Sequence, residues 1–413
     1  MKKVAIALFI IFAGQNGFSQ SLSLNECIDL ALKSNPDLQK SEYNVKQSQL
    51  STKQAYSELY PGVSANASTS SSGPIADKLQ ENWDWNVGGS ISQQLYRPGM
   101  YSGIGLAKAQ QAASQYSNTS LRDHIRTSVE KLYFQILASD TLIGVYNANI
   151  QLADEQITKM ERMVELGLKR HSDLLKSKVQ RGTFQSQLIR ELQSLASSKR
   201  SLNILMGRHP NTDIAVQPTA VNQILVPDYQ TAYAMMLEHS PDIKRLKSQI
   251  DVQRLALRIS KEAYLPSVSG TYSYSQYNSA FGGSALDNDQ INVRLSMDLF
   301  DGFYKKQNVQ KNQINLDEAK LDYDAALRDQ EEALSNQYKA LETQNQLIEI
   351  HETNLASARQ DLDVVSEQYD AGLSTILDLN DARVSVLESE TSLLQDLYTR
   401  KQIEAEIKRL IGE

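Results

Sequence analysis

The sequence holds a single cysteine, nine prolines and only 7% aromatic residues. One cysteine makes no intrachain disulfide, which excludes a cystine-stapled scaffold. Cys27 follows Asn25-Glu26 rather than the small apolar residues of a lipid-attachment site, so a plain buried thiol is favoured over an anchor. Basic excess is missing too. Against 49 Asp+Glu stand 42 Lys+Arg, a net charge of −7, whereas a nucleic-acid binder shows a basic face; no nucleic-acid partner is expected. Apolar residues reach only 41%, lean for 413 residues that would allow two or three compact domains. A large dry core does not fit this composition. Yet glycine and proline are few and the hydrophobic spacing is regular, so the chain does not read as disordered.

The one apolar run long enough to notice is N-terminal. Lys2 and Lys3 precede Val4 to Ala13, and Gly17-Phe18-Ser19 offers a small-residue cleavage site, which together predict a signal peptide over 1–19. Its removal leaves 40 basic against 49 acidic residues, a net charge of −9. No later run of about 18 apolar residues occurs, so no transmembrane helix is expected. Chemistry is scarce as well. The histidines His124, His171, His209, His239 and His351 have no second His or Cys at metal-ligand spacing. His171 falls in a turn, where metal or proton sensing competes with a surface residue of no role. There is no phosphate loop and no nucleophile elbow, and no recognisable carboxylate pair for an exported glycan-processing enzyme. Neither an enzyme nor a cofactor is expected.

What the chain does have is written twice. At a spacing of 205 residues, Asn35-Pro36-Asp37-Leu38 matches Ser240-Pro241-Asp242-Ile243, Gly167-Leu168 matches Gly372-Leu373, and Leu205-Met206-Gly207 matches Leu410-Ile411-Gly412. This predicts a first repeat over 20–207, a linker over 208–226 and a second repeat over 227–413. Heptad columns agree. Val129, Ile136, Ile143, Ile150, Ile157 and Val164 form one, and Leu327, Leu334, Leu341, Ile348, Leu355, Leu362 and Tyr369 the other. Such spacing lays a narrow apolar seam on a long helix and leaves the rest wet. Two helical hairpins follow, 101–206 with a turn near 167–171 and 304–411 with a turn near 371–375. Short helices open each repeat, the first capped by Ser23 with Glu26 and the second by Asp228.

Between the helices the period changes to two. Strands are predicted at about 62–71, 83–96, 267–277 and 290–300. Ile291-Asn292-Val293-Arg294-Leu295-Ser296-Met297 puts its apolar residues on one face and Arg294 on the other. Apolar-out, polar-in strands of this length are the signal of a transmembrane barrel, although soluble hairpins packed on helices give the same alternation. Trp83 and Trp85 at one strand end, and Tyr96 near another, suit a membrane interface. Four strands cannot close a barrel, for which about eight is the lower limit, so a barrel would have to be shared between chains.

These features, with Leu59-Tyr60-Pro61, Tyr264-Leu265-Pro266, the strand exit Leu299-Phe300-Asp301-Gly302 and the turn Tyr369-Asp370-Ala371-Gly372-Leu373-Ser374-Thr375, resemble the TolC family of outer-membrane efflux proteins. The first copy's strand exit, Gln94-Leu95-Tyr96-Arg97-Pro98-Gly99, keeps only the terminal glycine. The resemblance implies an α+β membrane protein: a homotrimer with a 12-stranded barrel in outer-membrane lipid of a Gram-negative cell, continued by a periplasmic α-helical barrel. It implies a passive exit duct of a tripartite efflux or secretion system, served by an inner-membrane transporter and a periplasmic adaptor (membrane fusion) protein. The tips Gly167, Leu168, Gly372 and Leu373 would meet the adaptor. A periplasmic gate would involve Ser172, Asp173, Tyr369 and Ser374; Ser374 stands where the family's best-known member has an arginine, so Lys169 and Arg170 become candidate substitutes. Asp378 and Asp381, one helical turn apart, would line the lumen constriction and favour cations, the plain alternative being a solvated acidic face. An exported coiled-coil structural protein without channel activity is the alternative to the whole reading.

Overall fold

The computed structural model describes residues 21–70, 84–219, 226–278 and 286–412, so the expected signal peptide and Trp83 lie outside the described residues. The elements are β1 (Ser21–Leu22), α1 (Leu24–Ser34), α2 (Pro36–Ser57), β2 (Gly62–Ser70), β3 (Asp84–Tyr96), α3 (Met100–Glu165) and α4 (His171–Leu205), then β4 (Ala215–Val216), α5 (Tyr229–His239), α6 (Pro241–Glu262), β5 (Ser267–Asn278), β6 (Leu286–Ser296), α7 (Tyr304–Asp370) and α8 (Ile376–Ile411). Helices α1 to α4 have 11, 22, 66 and 35 residues, and α5 to α8 have 11, 22, 67 and 36.

Local chemistry explains the ends. Ser23 and Glu26 form a reciprocal capping box on α1, and the Asp228 carboxylate accepts from the Gln230 and Thr231 amides at the start of α5. Pro36 and Pro241 sit in the first turns of α2 and α6, where a missing N–H costs nothing. Along α3 and α7 every member of the two heptad columns is buried or half-buried; flanking positions are largely exposed on α7, whereas α3 has no exposed residue from Thr127 to Ser139. The seam is therefore narrow on α7, as the spacing requires, and broader on this part of α3.

Two compact units emerge. One draws on α1, α3 from Ile125, α4, α7 from Lys339 and α8 to Glu406. Here β1 and β4 pair in parallel, Ser21 with Ala215 and Leu22 with Val216, and the Tyr133 hydroxyl donates to the Gln217 carbonyl at 2.7 Å. The stretch expected as a linker thus carries a strand of its own. Cys27 is fully buried, and desolvation pushes its thiol up to about 11, which suits an inert thiol. The C-terminus of α4 closes against α1: Arg208 N donates to Asn203 O at 2.8 Å and Asn35 Nδ2 to Leu205 O at 2.9 Å. Gly207 at this turn has φ +67°, and an added Cβ would stand 2.3 Å from the Ser34 carbonyl oxygen. Gly207→Ala is expected to destabilise the protein by at least ~2 kcal/mol, from left-handed strain plus a backbone clash, measurable as a fall in the denaturation midpoint.

The other unit holds α2, the four-stranded sheet, α5, α6, α3 to His124, α7 to Tyr338 and the chain from Ile407. Its core gathers Ala232, Met236, Ile243, Leu334, Leu410 and Ile411. The sheet is antiparallel throughout, in the order β2-β3-β5-β6, so the two hairpins join along β3 and β5. The last strand lies four residues earlier than the expected 290–300. Its pairing ends where Ser296 meets Ser267, because β5 begins only after Pro266, which has no N–H to give a ladder.

Candidate functional site

Opposed residues in an antiparallel sheet share a face, and the register separates an apolar from a polar face over part of the sheet, with Asp287 and Asp289 on the otherwise apolar face opposite Gln276 and Tyr274. Val63, Ile91, Tyr272 and Ile291 form one row across all four strands; each is a large apolar or aromatic side chain, with 77, 46, 43 and 79% exposure. Val87, Val293 and Leu295 extend the same face. The next row on the other face is Ser64, Ser90, Ser273 and Gln290, followed by Gly62, Ser92, Thr271 and Asn292, then by Ser269 with Arg294. No helix covers the apolar row, and β2 and β6 are edges with no strand beyond them among the described residues. Trp85 pairs with Thr69 and Asn278 near one end of β3, whereas Tyr96 closes the other end opposite Val268. Beyond β6, Phe300 and Phe303 pack edge to face at 5.5 Å while remaining 76 and 61% exposed. Phe303 adopts φ +67° directly after Gly302 at φ +68°, a strained pair no period in the sequence announces.

The helical turns form the second feature. Leu168 N donates to Met163 O and Leu373 N to Gln368 O, with Gly167 at φ +72° and Gly372 at φ +78°, so both hairpins turn through the same six-to-one motif. The tips Leu168 and Leu373 project at 69 and 81% exposure. Behind them Ile157 and Met160 of α3, Leu174 of α4, Tyr369 of α7, and Ile376 and Leu379 of α8 close a common core. Side chains of this kind contribute about 1.5–3 kcal/mol each when fully buried, which fixes the turns against one another.

Tyr369 is central to this cluster and 5% exposed. Its hydroxyl faces the Met160 sulfur at 3.8 Å, and the Lys169 ammonium stands 4.2 Å above its ring centroid. Burial, then the charges of Asp173 and Asp370, push the phenol's pKa upward. Asp173 is thus close enough for its field to act, but the hydroxyl is committed to Met160. Ser172 is exposed and Asp173 half-buried at the first turn of α4. Ser374 turns to its own helix, donating to Asp378 Oδ2 at 3.1 Å. That carboxylate also accepts from the Thr375 amide at 2.8 Å and hydroxyl at 2.7 Å, while Asp378 N donates back to Thr375 Oγ1. Asp378 is therefore a reciprocal cap of α8, and the Thr375 side chain, the Thr375 amide and Ser374 hold its carboxyl below the ordinary range. Asp381 is exposed one turn on.

Several residues at the turns escaped sequence reasoning. Lys159 reaches Asp370 at 2.7 Å across 211 residues, Lys178 reaches Glu161 at 2.9 Å, and Arg181 pairs with Asp154. The signal for Thr375 was present, since Thr-x-x-Asp before an apolar run is a capping pattern.

The chain thus joins a sheet with an exposed apolar row and unpaired edges, among the described residues, to long helices. The sequence model for outer membrane efflux proteins matches residues 27–208 and again 232–413, so the chain belongs to the outer membrane efflux protein family. It is 20% identical over 436 aligned positions to the outer membrane protein TolC of Salmonella enteritidis, covering 100% of this chain and 86% of that protein. It is likewise 20% identical to the solvent efflux pump outer membrane protein SrpC of Pseudomonas putida, covering 96 and 86%. The fold matches the CmeC outer membrane channel of Campylobacter jejuni with a TM-score of 0.83 at 19% identity, covering 94% of this chain and 85% of that one. The protein is accordingly an outer-membrane efflux protein reaching into the periplasm, in a family of channels and not of enzymes.

Proposed function

We propose that three copies of the chain assemble into a passive exit duct. Each contributes the four strands of β2-β3-β5-β6 to one closed 12-stranded barrel in outer-membrane lipid and its two hairpins to a helical tube below. The observation that carries this reading is the sheet: one face carries an exposed apolar row across all four strands, the other is polar, and both edges are unpaired among the described residues. An open edge cannot sit in lipid, because each unsatisfied amide there costs several kcal/mol. Pairing β6 of one copy with β2 of the next removes both edges at once. In this reading the two runs of matching helices are an internal repeat, residues 1–19 are a cleaved signal, and Trp85, Tyr96, Phe300 and Phe303 mark the membrane interfaces. The tips at Gly167, Leu168, Gly372 and Leu373 meet a periplasmic adaptor, which couples the duct to an inner-membrane transporter. Ser172, Asp173, Tyr369 and Ser374 belong to the gate, with Lys169 on the Tyr369 ring standing in for the arginine that Ser374 replaces.

The reading is tested by membrane fractionation followed by single-channel recording on the purified protein. An outer-membrane trimer with stable conductance and no ATP requirement is expected. A soluble monomer that forms no channel would remove it.

A further inference from the structure

The clearest unexplained feature is a cation that lines a small polar cavity. Behind the turns, Gln156 of α3, Ser177 and Gln180 of α4, and Asn380 and Arg383 of α8 line a small, partly open cavity that leaves about 10 Å³ for the centre of a water-sized sphere. That is room for one water or one small ion. Ala153 and Phe184, which pack on Leu387, form its apolar wall. No carboxylate lines it. The nearby acids are engaged elsewhere: Asp154 with Arg181, Glu161 with Lys178 and Asp370 with Lys159. Arg383, half-buried, lines the cavity with no ion pair among the described residues, although the charge of Asp370 reaches it, and Gln180 Nε2 is buried there without a partner. Asn380, 7% exposed, adds an amide, while the Ser177 hydroxyl is turned away to the Asp173 carbonyl at 3.1 Å. Burial depresses the Arg383 pKa by more than its interactions with Tyr369 and Asp370 raise it.

We propose that this cavity is a halide-sized anion site, in which chloride is held by the Arg383 guanidinium and the Gln180 and Asn380 amides. The ligand is monovalent and nearly spherical, because the space admits neither sulfate nor a carboxylate side chain. Its place between α3, α4 and α8 makes the anion a clamp on the turn end of the hairpins, independent of how the duct is gated.

Crystals of the mature full-length protein grown in sodium bromide test this directly. An anomalous bromide peak between Arg383 and Gln180 is expected; a peak absent from the cavity, with only water there, would overturn the proposal. In solution, the thermal midpoint should rise by a few degrees when sodium gluconate is replaced by sodium chloride at equal ionic strength. Arg383→Met should abolish that rise and match or exceed the wild type in gluconate, since it removes a partly desolvated charge. A wild-type midpoint indifferent to chloride, or an Arg383→Met variant that keeps the chloride response, would each count against the site.

Discussion

Ile291→Lys is expected to leave almost no assembled protein in the outer membrane. Ile291 lies at the middle of β6, in the row with Val63, Ile91 and Tyr272, and is 79% exposed. In a lipid-facing barrel wall, a lysine near the bilayer midplane costs about 2–4 kcal/mol. Threefold assembly triples that to roughly 6–12 kcal/mol, comparable with the whole stability of an ordinary domain. The control is the adjacent residue. Asn292, opposite Thr271, lies on the polar face, so Asn292→Lys is expected to assemble normally. Unheated and boiled electrophoresis of outer-membrane fractions distinguishes the two. If Ile291→Lys yields as much heat-modifiable oligomer as Asn292→Lys, the apolar face does not meet lipid.

That experiment rests on an alternation already legible in the sequence, and the reason is simple. A strand with different solvents on its two faces must alternate strictly, so Ile291, Val293 and Leu295 declare themselves. The preceding stretch, Leu286-Asp287-Asn288-Asp289-Gln290, belongs to the same strand but is mostly polar on both faces, and only its pairing with β5 identifies it. Helices behaved likewise. Heptad positions and the Ser23–Glu26 box are local patterns and could be read directly; the union of β3 with β5 joins distant hairpins and could not. At the turns the divide is sharper still. Glycines and tips announce themselves by residue type, but which cation meets which carboxylate depends on helices 27 to 211 residues apart, as with Arg181–Asp154 and Lys159–Asp370. Arg383 becomes conspicuous only after those pairs are assigned. Asp378 shows the reverse: its capping role is written locally in Thr375-x-x-Asp378 and is as legible as its spacing to Asp381.

The capping role changes how a lumen ring must be tested. If the proposed trimer places both residues in its lumen, neutralising Asp378 and Asp381 together as Asn is expected to lower the cation-to-anion permeability ratio roughly tenfold, because three copies would lose six carboxylates and with them a potential of several kT. Asp381→Asn alone should carry much of the fall. Asp381 is exposed and takes no part in the cap, whereas Asp378 is tied to Ser374 and Thr375 by three hydrogen bonds. The single variant thus separates lumen charge from turn structure. Acidification separates the two carboxylates further. Hydrogen bonds to its ionised form hold the Asp378 pKa below the ordinary aspartate value of about 3.9, so its charge persists as pH falls through that value. The selectivity left in Asp381→Asn should therefore survive at pH 4. The cap's contribution to α8 follows the same sign: present above the unfolded-state pKa, and lost as pH falls through the depressed folded one. Reversal potentials in asymmetric salt across planar bilayers measure all of this. Unchanged potentials in the double variant would reduce the pair to a helix cap beside a solvated aspartate.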